Sequence, residues 1–162
     1  MKGLFSLLAT AFALNAAGSA ATWIPQTYLP LPNGLCPPKF ATPGMQQAIF
    51  NNFVETFYIE GNIKKALLNF VSEDYIQHNP FVSSGREAAL KVLPGAFKNA
   101  TIDVLHVVFQ DSVGIVHYRV TQSGSPVTAY ADFFRLNGTC VAEHWDVIQS
   151  LPPNATNPLA LF

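Results

Sequence analysis

The chain has 162 residues, of which 49% are hydrophobic and only 12% charged, with a formal net charge of −1. That length suits one domain rather than two, and the charged share is about half the roughly 25% of an ordinary soluble domain. The 9 basic residues form no run, which excludes a nucleic-acid groove built on phosphate neutralisation, and 13 Phe, 5 Tyr and 2 Trp exclude disorder over most of the chain.

The N-terminus reads as a processing signal. Met1-Lys2 is a positive start, Leu4 to Leu14 is apolar, and Gly18-Ser19-Ala20-Ala21 supplies small residues for cleavage. Residues 1–21 are therefore expected to be a secretory signal, and the mature protein to be secreted. The apolar run is shorter than the ~20 residues of a membrane span, so no membrane association is expected after cleavage. Loss of Lys2 leaves 8 basic against 10 acidic residues, a charge of −2.

Residues 22–44 hold Pro25, Pro30, Pro32, Pro37, Pro38 and Pro43 and form an extended arm. The arm carries Cys36; the other cysteine is Cys140. Two cysteines in an oxidising compartment predict one disulfide, worth roughly 4–5 kcal/mol for so long a loop. Neither has a Cys or His neighbour, so no metal site is read from them, and none is expected elsewhere. Sequons at Asn99, Asn137 and Asn154 predict glycosylation.

A domain is expected over 45–152. The first helix follows Thr42-Pro43, with Met45, Ile49, Phe53 and Phe57 on one face and Phe50 and Val54 beside them. Gly61 ends it. Asn62 caps a second helix carrying Ile63, Leu67, Phe70 and Val71. A short strand, Tyr75 to His78, stops at Asn79-Pro80. Ser84 and Glu87 form a capping-box pattern for a third helix, which Leu93-Pro94-Gly95 kinks or ends. Strands then run over 102–110, 113–122, 127–136 and 139–149, with Asn137-Gly138 as a hairpin signal. Residues 153–162 are an exposed apolar tail. Helices followed by long antiparallel strands predict an α+β fold with helices on one face of a curved sheet.

In a chain so poor in charge, Asp132, Glu143, His144 and Asp146 stand inside two adjacent apolar strands. A buried carboxyl with a raised pKa serves as a general acid or as a neutral donor to an oxyanion. His144 beside Asp146 suits a general base with an orienting partner; the bland alternative is an exposed, salt-bridged strand face. Register separates two arrangements. A strict two-residue Asn137-Gly138 turn puts Asp132 opposite Glu143, with Tyr130 and Trp145. A three-residue loop with a glycine bulge puts Asp132 on the face of His144 and Asp146. His78 is a second candidate, on a loop after a strand. His106 shares a face with Ile102, Val104 and Val108, which suggests the core or a pocket; His117 shares one with Arg119 and Thr121, which suggests an outer face.

Tyr75-Ile76-Gln77-His78-Asn79-Pro80, Gly85-Arg86-Glu87, Ala131-Asp132-Phe133-Phe134-Arg135 and Glu143-His144-Trp145-Asp146-Val147-Ile148-Gln149 together resemble the SnoaL-like proteins of the nuclear-transport-factor-like superfamily. The resemblance runs from about Gln46 to Pro152. It implies a cone-shaped barrel, three N-terminal helices packed on a curved, mainly antiparallel sheet. It also implies cofactor-free acid–base chemistry of the lyase or isomerase (aldol, cyclase) kind on a small apolar carbonyl compound, in a homodimer. Carried over, Asp146 would be the base, His144 and His78 its polar partners, and Asp132 a protonated oxyanion donor, which favours the bulged register. Asn79, Tyr130, Phe134, Ile148 and His106 would line the pocket. One departure is Asn79, where ketosteroid isomerases carry an aspartate base; an amide cannot remove a proton. The alternative reading is a non-catalytic secreted protein that uses the same pocket to bind an apolar ligand.

Overall fold

The computed structural model describes Leu31 and residues 34–162, so the expected signal at 1–21 lies outside the described residues. Thr42 caps helix α1 (Pro43–Val54): its hydroxyl accepts from the Met45 N–H at 3.3 Å, and Pro43 occupies the first turn, where no N–H is needed. Ile49, Phe50, Phe53 and Val54 form its buried face, while Met45 stays 36% exposed.

The helix does not simply continue to Gly61. It widens into a π-helical turn over Glu55–Ile59. The wider turn brings Tyr58, five residues after Phe53, onto the buried face beside Phe57. Asn62 then caps α2 (Ile63–Phe70), its side chain accepting from the Lys65 N–H at 3.2 Å. Val71, expected on that helix, opens strand β1 (Val71–Gln77) instead.

Helix α3 (Arg86–Ala96) starts without the expected capping box. Gly85 holds the cap position at φ +97°, and the Ser84 hydroxyl accepts from the Gln77 N–H at 3.0 Å. Pro94 lies inside the helix, which ends before Phe97.

Strands β2 (Ala100–Gln110), β3 (Val113–Gln122), β4 (Thr128–Asn137) and β5 (Cys140–Ser150) follow as an antiparallel meander. β1 pairs with β5 in parallel, giving the order β1-β5-β4-β3-β2. The sheet is thus α+β and mainly antiparallel as expected, but the barrel is corrected to an open cone. Among the described residues β1 and β2 are the edge strands, and the three helices cover the concave face. Phe50, Phe53, Phe57, Phe70 and Phe134 pack there into one aromatic core. No helix among the described residues is long and apolar enough to cross a membrane.

Two bulges set which side chains face that core. In β2 the register shifts between Val104 and His106. The extra residue keeps Val104, Val107 and Phe109 inside and turns His106 out, which corrects its expected place in the pocket. On the outer face His106 Nδ1 lies 3.1 Å from His117 Nδ1. In β4–β5 the register shifts between Arg135 and Leu136, after the turn at Gly138-Thr139. Asp132 is therefore opposite Asp146, so the face expected of the bulged register is found, but through a two-residue turn and an extra residue in β5 rather than a three-residue loop.

The arm is held at this same turn. Cys36 and Cys140 form the disulfide across 104 residues. The Thr139 N–H donates to Lys39 O, and Lys39 N–H donates to the Thr139 hydroxyl, both at 3.0 Å. Gly138 is at φ +52°, and a Cβ there would lie 1.9 Å from Lys39 O, so only glycine fits under the arm.

The C-terminal tail is not simply exposed. His117 Nε2 donates to Leu161 O at 3.0 Å, and the Arg119 guanidinium lies 4.2 Å from the Phe162 ring centre, although Leu159 remains 75% exposed. The sequon residues Asn99, Asn137 and Asn154 are all exposed.

Gly114 of β3 faces the fully buried Phe50 ring, and an added Cβ would lie 2.3 Å from it. Gly114→Ala overpacks the core and is expected to cost about 1–3 kcal/mol. The urea midpoint should fall at constant slope; an unchanged midpoint would contradict this packing.

Candidate functional site

A cavity of about 240 Å³ lies between the concave sheet and the helices. That is just under the roughly 300–1,000 Å³ of drug-sized sites, so it suits a small compound. Phe53, Phe57, Leu67, Leu93 and Phe97 make its walls apolar, and no Lys or Arg among the described residues lines it. The polar groups all stand on the sheet side, on β1 and the turn after it, β3, β4 and β5.

Strand alternation explains that grouping. Asp132 on β4 and His144 and Asp146 on β5 share the concave face because their separations are even and the bulge aligns the two strands. β1 adds Tyr75 and Gln77 on its inner face, with Asn79 next along the chain, and its register puts Gln77 beside His144.

Asp132 is 5% exposed. Its Oδ2 accepts from the Tyr58 hydroxyl at 2.6 Å and from the Tyr118 hydroxyl at 3.0 Å. Burial, and next the Asp132 carboxyl, push both tyrosines well above the usual phenol range, so they keep their protons and donate. Only Oδ1 of Asp132 remains, and it faces His144 Nε2 at 3.6 Å.

The tautomer of His144 follows from its neighbour. The Asn79 N–H donates to Gln77 Oε1 at 3.0 Å, which fixes that atom as the amide oxygen. His144 Nδ1 lies 2.8 Å from the same oxygen, so Nδ1 carries a proton and donates it there. Nε2 is left aimed at Asp132. Gln77 Nε2 in turn donates to the Tyr75 hydroxyl at 3.0 Å.

Asp146 is partly buried. Its Oδ2 accepts from Asn79 Nδ2 at 2.5 Å, while no donor among the described residues reaches Oδ1. Asn79 also accepts from the Phe81 N–H at 2.8 Å, shaping the turn that carries Phe81 at the cavity mouth. A carboxyl fixed through one oxygen with the other open to an apolar cavity is suited to moving a proton on a bound ligand. Asp132, His144 and Asp146 also offer one ligand atom each within 4.8 Å of one another, and these are the residues that could hold a cation.

The cavity thus gathers Asp132, His144, Asp146, Asn79, Tyr130, Phe134 and Ile148. It does not include His78 or His106. His78 turns to the other face, where Nε2 lies 2.8 Å from Glu143 Oε1 and the ring stacks on Trp145 at 4.8 Å. Glu143 also accepts from Arg135 Nε at 2.7 Å, and these two partners, His78 first, hold its carboxyl below the usual range. Sequence reasoning missed Tyr58, Tyr75, Gln77 and Tyr118. Tyr75 and Gln77 alternate with Asn79, just past the end of β1, but only the pairing of β1 with β5 shows that this face lines the cavity.

A family profile described as a SnoaL-like domain matches residues 50–144. No curated protein matches the chain by sequence. Among solved structures it is similar to a candidate SnoaL-like polyketide cyclase from Jannaschia sp. CCS1, with a TM-score of 0.54 at 16% identity over 68% of this chain and 91% of that one. It is also similar to TsrD from Streptomyces laurentii, with a TM-score of 0.52 at 16% identity over 67% and 91%. A candidate polyketide cyclase from Acidithiobacillus ferrooxidans gives 0.52 at 17% identity over 65% and 88%. At these identities the likeness to the solved structures is one of fold.

Proposed function

The chain belongs to the SnoaL-like domain family, and from that premise we propose that its cavity performs cofactor-free lyase or isomerase chemistry, of aldol or cyclase type, on a small apolar carbonyl compound. The observation that carries this is Asp146: one oxygen held by Asn79, the other open to a cavity with apolar walls. Asp146 takes a proton from the carbon next to the substrate carbonyl. The C–H electron pair becomes the enolate double bond, and the negative charge moves to the carbonyl oxygen. In an aldol closure the enolate carbon then bonds to a second carbonyl carbon of the same molecule, and the new alkoxide recovers the proton from Asp146. His144 and Asp132 hold the polar side of the cavity in one arrangement through the Gln77 bond and the two tyrosines. Among the polyketide-cyclase-like structures named above, such a substrate would be a small polyketone.

The apolar N-terminal run and the Cys36–Cys140 disulfide support export to an oxidising compartment. A homodimer through the outer sheet face is supported by Val108 and Val147, 53% and 64% exposed there.

Incubating the mature protein with a metabolite extract and comparing masses tests the activity. The expected result is a new compound that is either an isomer of a consumed one or differs from it by loss of water. A ligand that co-purifies and is returned unchanged would favour the binding role instead.

A further inference from the structure

We infer that the Tyr75 hydroxyl is the cavity's hydrogen-bond donor to a ligand carbonyl or enolate oxygen, and that Gln77 is the residue that positions it. This rests on the acid–base reading above and adds the group that meets the oxygen. Tyr75 lines the cavity yet is only 3% exposed. Its oxygen accepts from Gln77 Nε2, and no acceptor among the described residues takes its proton. Buried polar groups are normally paired, so that proton is left for a guest.

Its direction is fixed from behind. Gln77 cannot turn its amide, because Oε1 takes both the Asn79 N–H and the His144 Nδ1–H. Nε2 must therefore face Tyr75. His144, Gln77 and Tyr75 form one line of hydrogen bonds across β5 and β1, with the Asp132 carboxyl 3.6 Å behind His144. In such a line each bond polarises the next and strengthens the terminal donor. Burial, then the charges of Asp132 and Asp146, keep the phenol protonated, against the smaller opposing effect of Gln77.

The other phenols differ. Tyr58 and Tyr118 give their protons to Asp132. Tyr130 is only partly buried and stands outside the line. A buried phenol donor, an open carboxyl and, among the described residues, no Lys or Arg on the apolar walls select a neutral ketone and disfavour a carboxylate ligand.

The test uses 1-indanone as probe and indane, which lacks the oxygen, as control, both bound to the mature full chain. In the wild type the carbonyl infrared band of bound 1-indanone should shift to lower frequency than in hexane. Tyr75→Phe should lose that shift and about tenfold in affinity for 1-indanone, with indane binding unchanged. Tyr130→Phe should keep the shift, and Gln77→Leu should reduce it. Retention of the full shift in Tyr75→Phe, its loss only in Tyr130→Phe, or no binding of 1-indanone by the wild type each overturns the assignment. If Tyr75→Phe also loses indane, Gln77→Leu decides: an undiminished shift there overturns it. The readout needs no turnover, so a failure of Asp146 as base leaves it standing and is seen separately.

Discussion

Asp146→Asn leaves a folded protein whose catalysed exchange of the α-protons of 1-indanone with solvent falls by roughly 10²–10⁴-fold, the usual worth of a positioned acid–base group. The amide has the same shape, and its oxygen can still accept from Asn79, so packing around it is kept. What is lost is the atom that receives the proton. The melting temperature should move little, because Asp146 is only partly buried and Asn79 is its one side-chain hydrogen-bond partner among the described residues. Exchange at the wild-type rate in a folded variant would remove Asp146 from the mechanism. Asp132 is unsuitable for the same test. Its carboxyl satisfies two buried tyrosines, and removing it leaves donors without partners, which costs stability on its own account.

Removing the disulfide by the double substitution Cys36→Ala/Cys140→Ala has the largest expected effect on stability. The bridge closes a loop with a separation of 104 residues, for which the chain-entropy argument gives about 4–5 kcal/mol. At this chain length that corresponds to a fall in Tm on the order of 10–20 °C. The loss should be felt beyond the arm. Leu35 is part of the core, Thr139 donates to Leu35 O, and Lys39 pairs with the β4–β5 turn, so the arm clamps the hairpin that carries Asp132, His144 and Asp146. Calorimetry on the double variant and on the reduced wild type checks this. A Tm within about 2 °C of the oxidised wild type would contradict the clamp.

How far the site was legible in the sequence depended on local geometry. The elements and their order followed from caps, prolines and apolar spacing: Thr42-Pro43 and Asn62 start helices as read, and all four long strands are present. The acidic face of β4 and β5 was visible because so few charges occur elsewhere. The errors share a cause. An extra residue inverts every later side chain on a strand, and periodicity alone cannot place it. The bulge in β2 therefore turned His106 out, while the one in β4–β5 brought Asp132 opposite Asp146. The π-turn that delivers Tyr58 has no sequence signature comparable to a cap or a turn. His78 was misplaced because the chain continues its alternation past the end of β1, so Asn79 and not His78 reaches the cavity. Tyr75 and Gln77 read as ordinary strand residues until the parallel pairing of β1 with β5 set them beside His144.

In the proposed mechanism this cavity removes a proton next to a carbonyl without a cofactor. Deuterium incorporation into 1-indanone, followed by mass spectrometry in heavy water with the wild-type protein and an excess of chelator, measures it most directly. Incorporation at the carbon beside the carbonyl is expected well above the buffer background and unchanged by the chelator. A rate equal to buffer, or one abolished by the chelator, would contradict it.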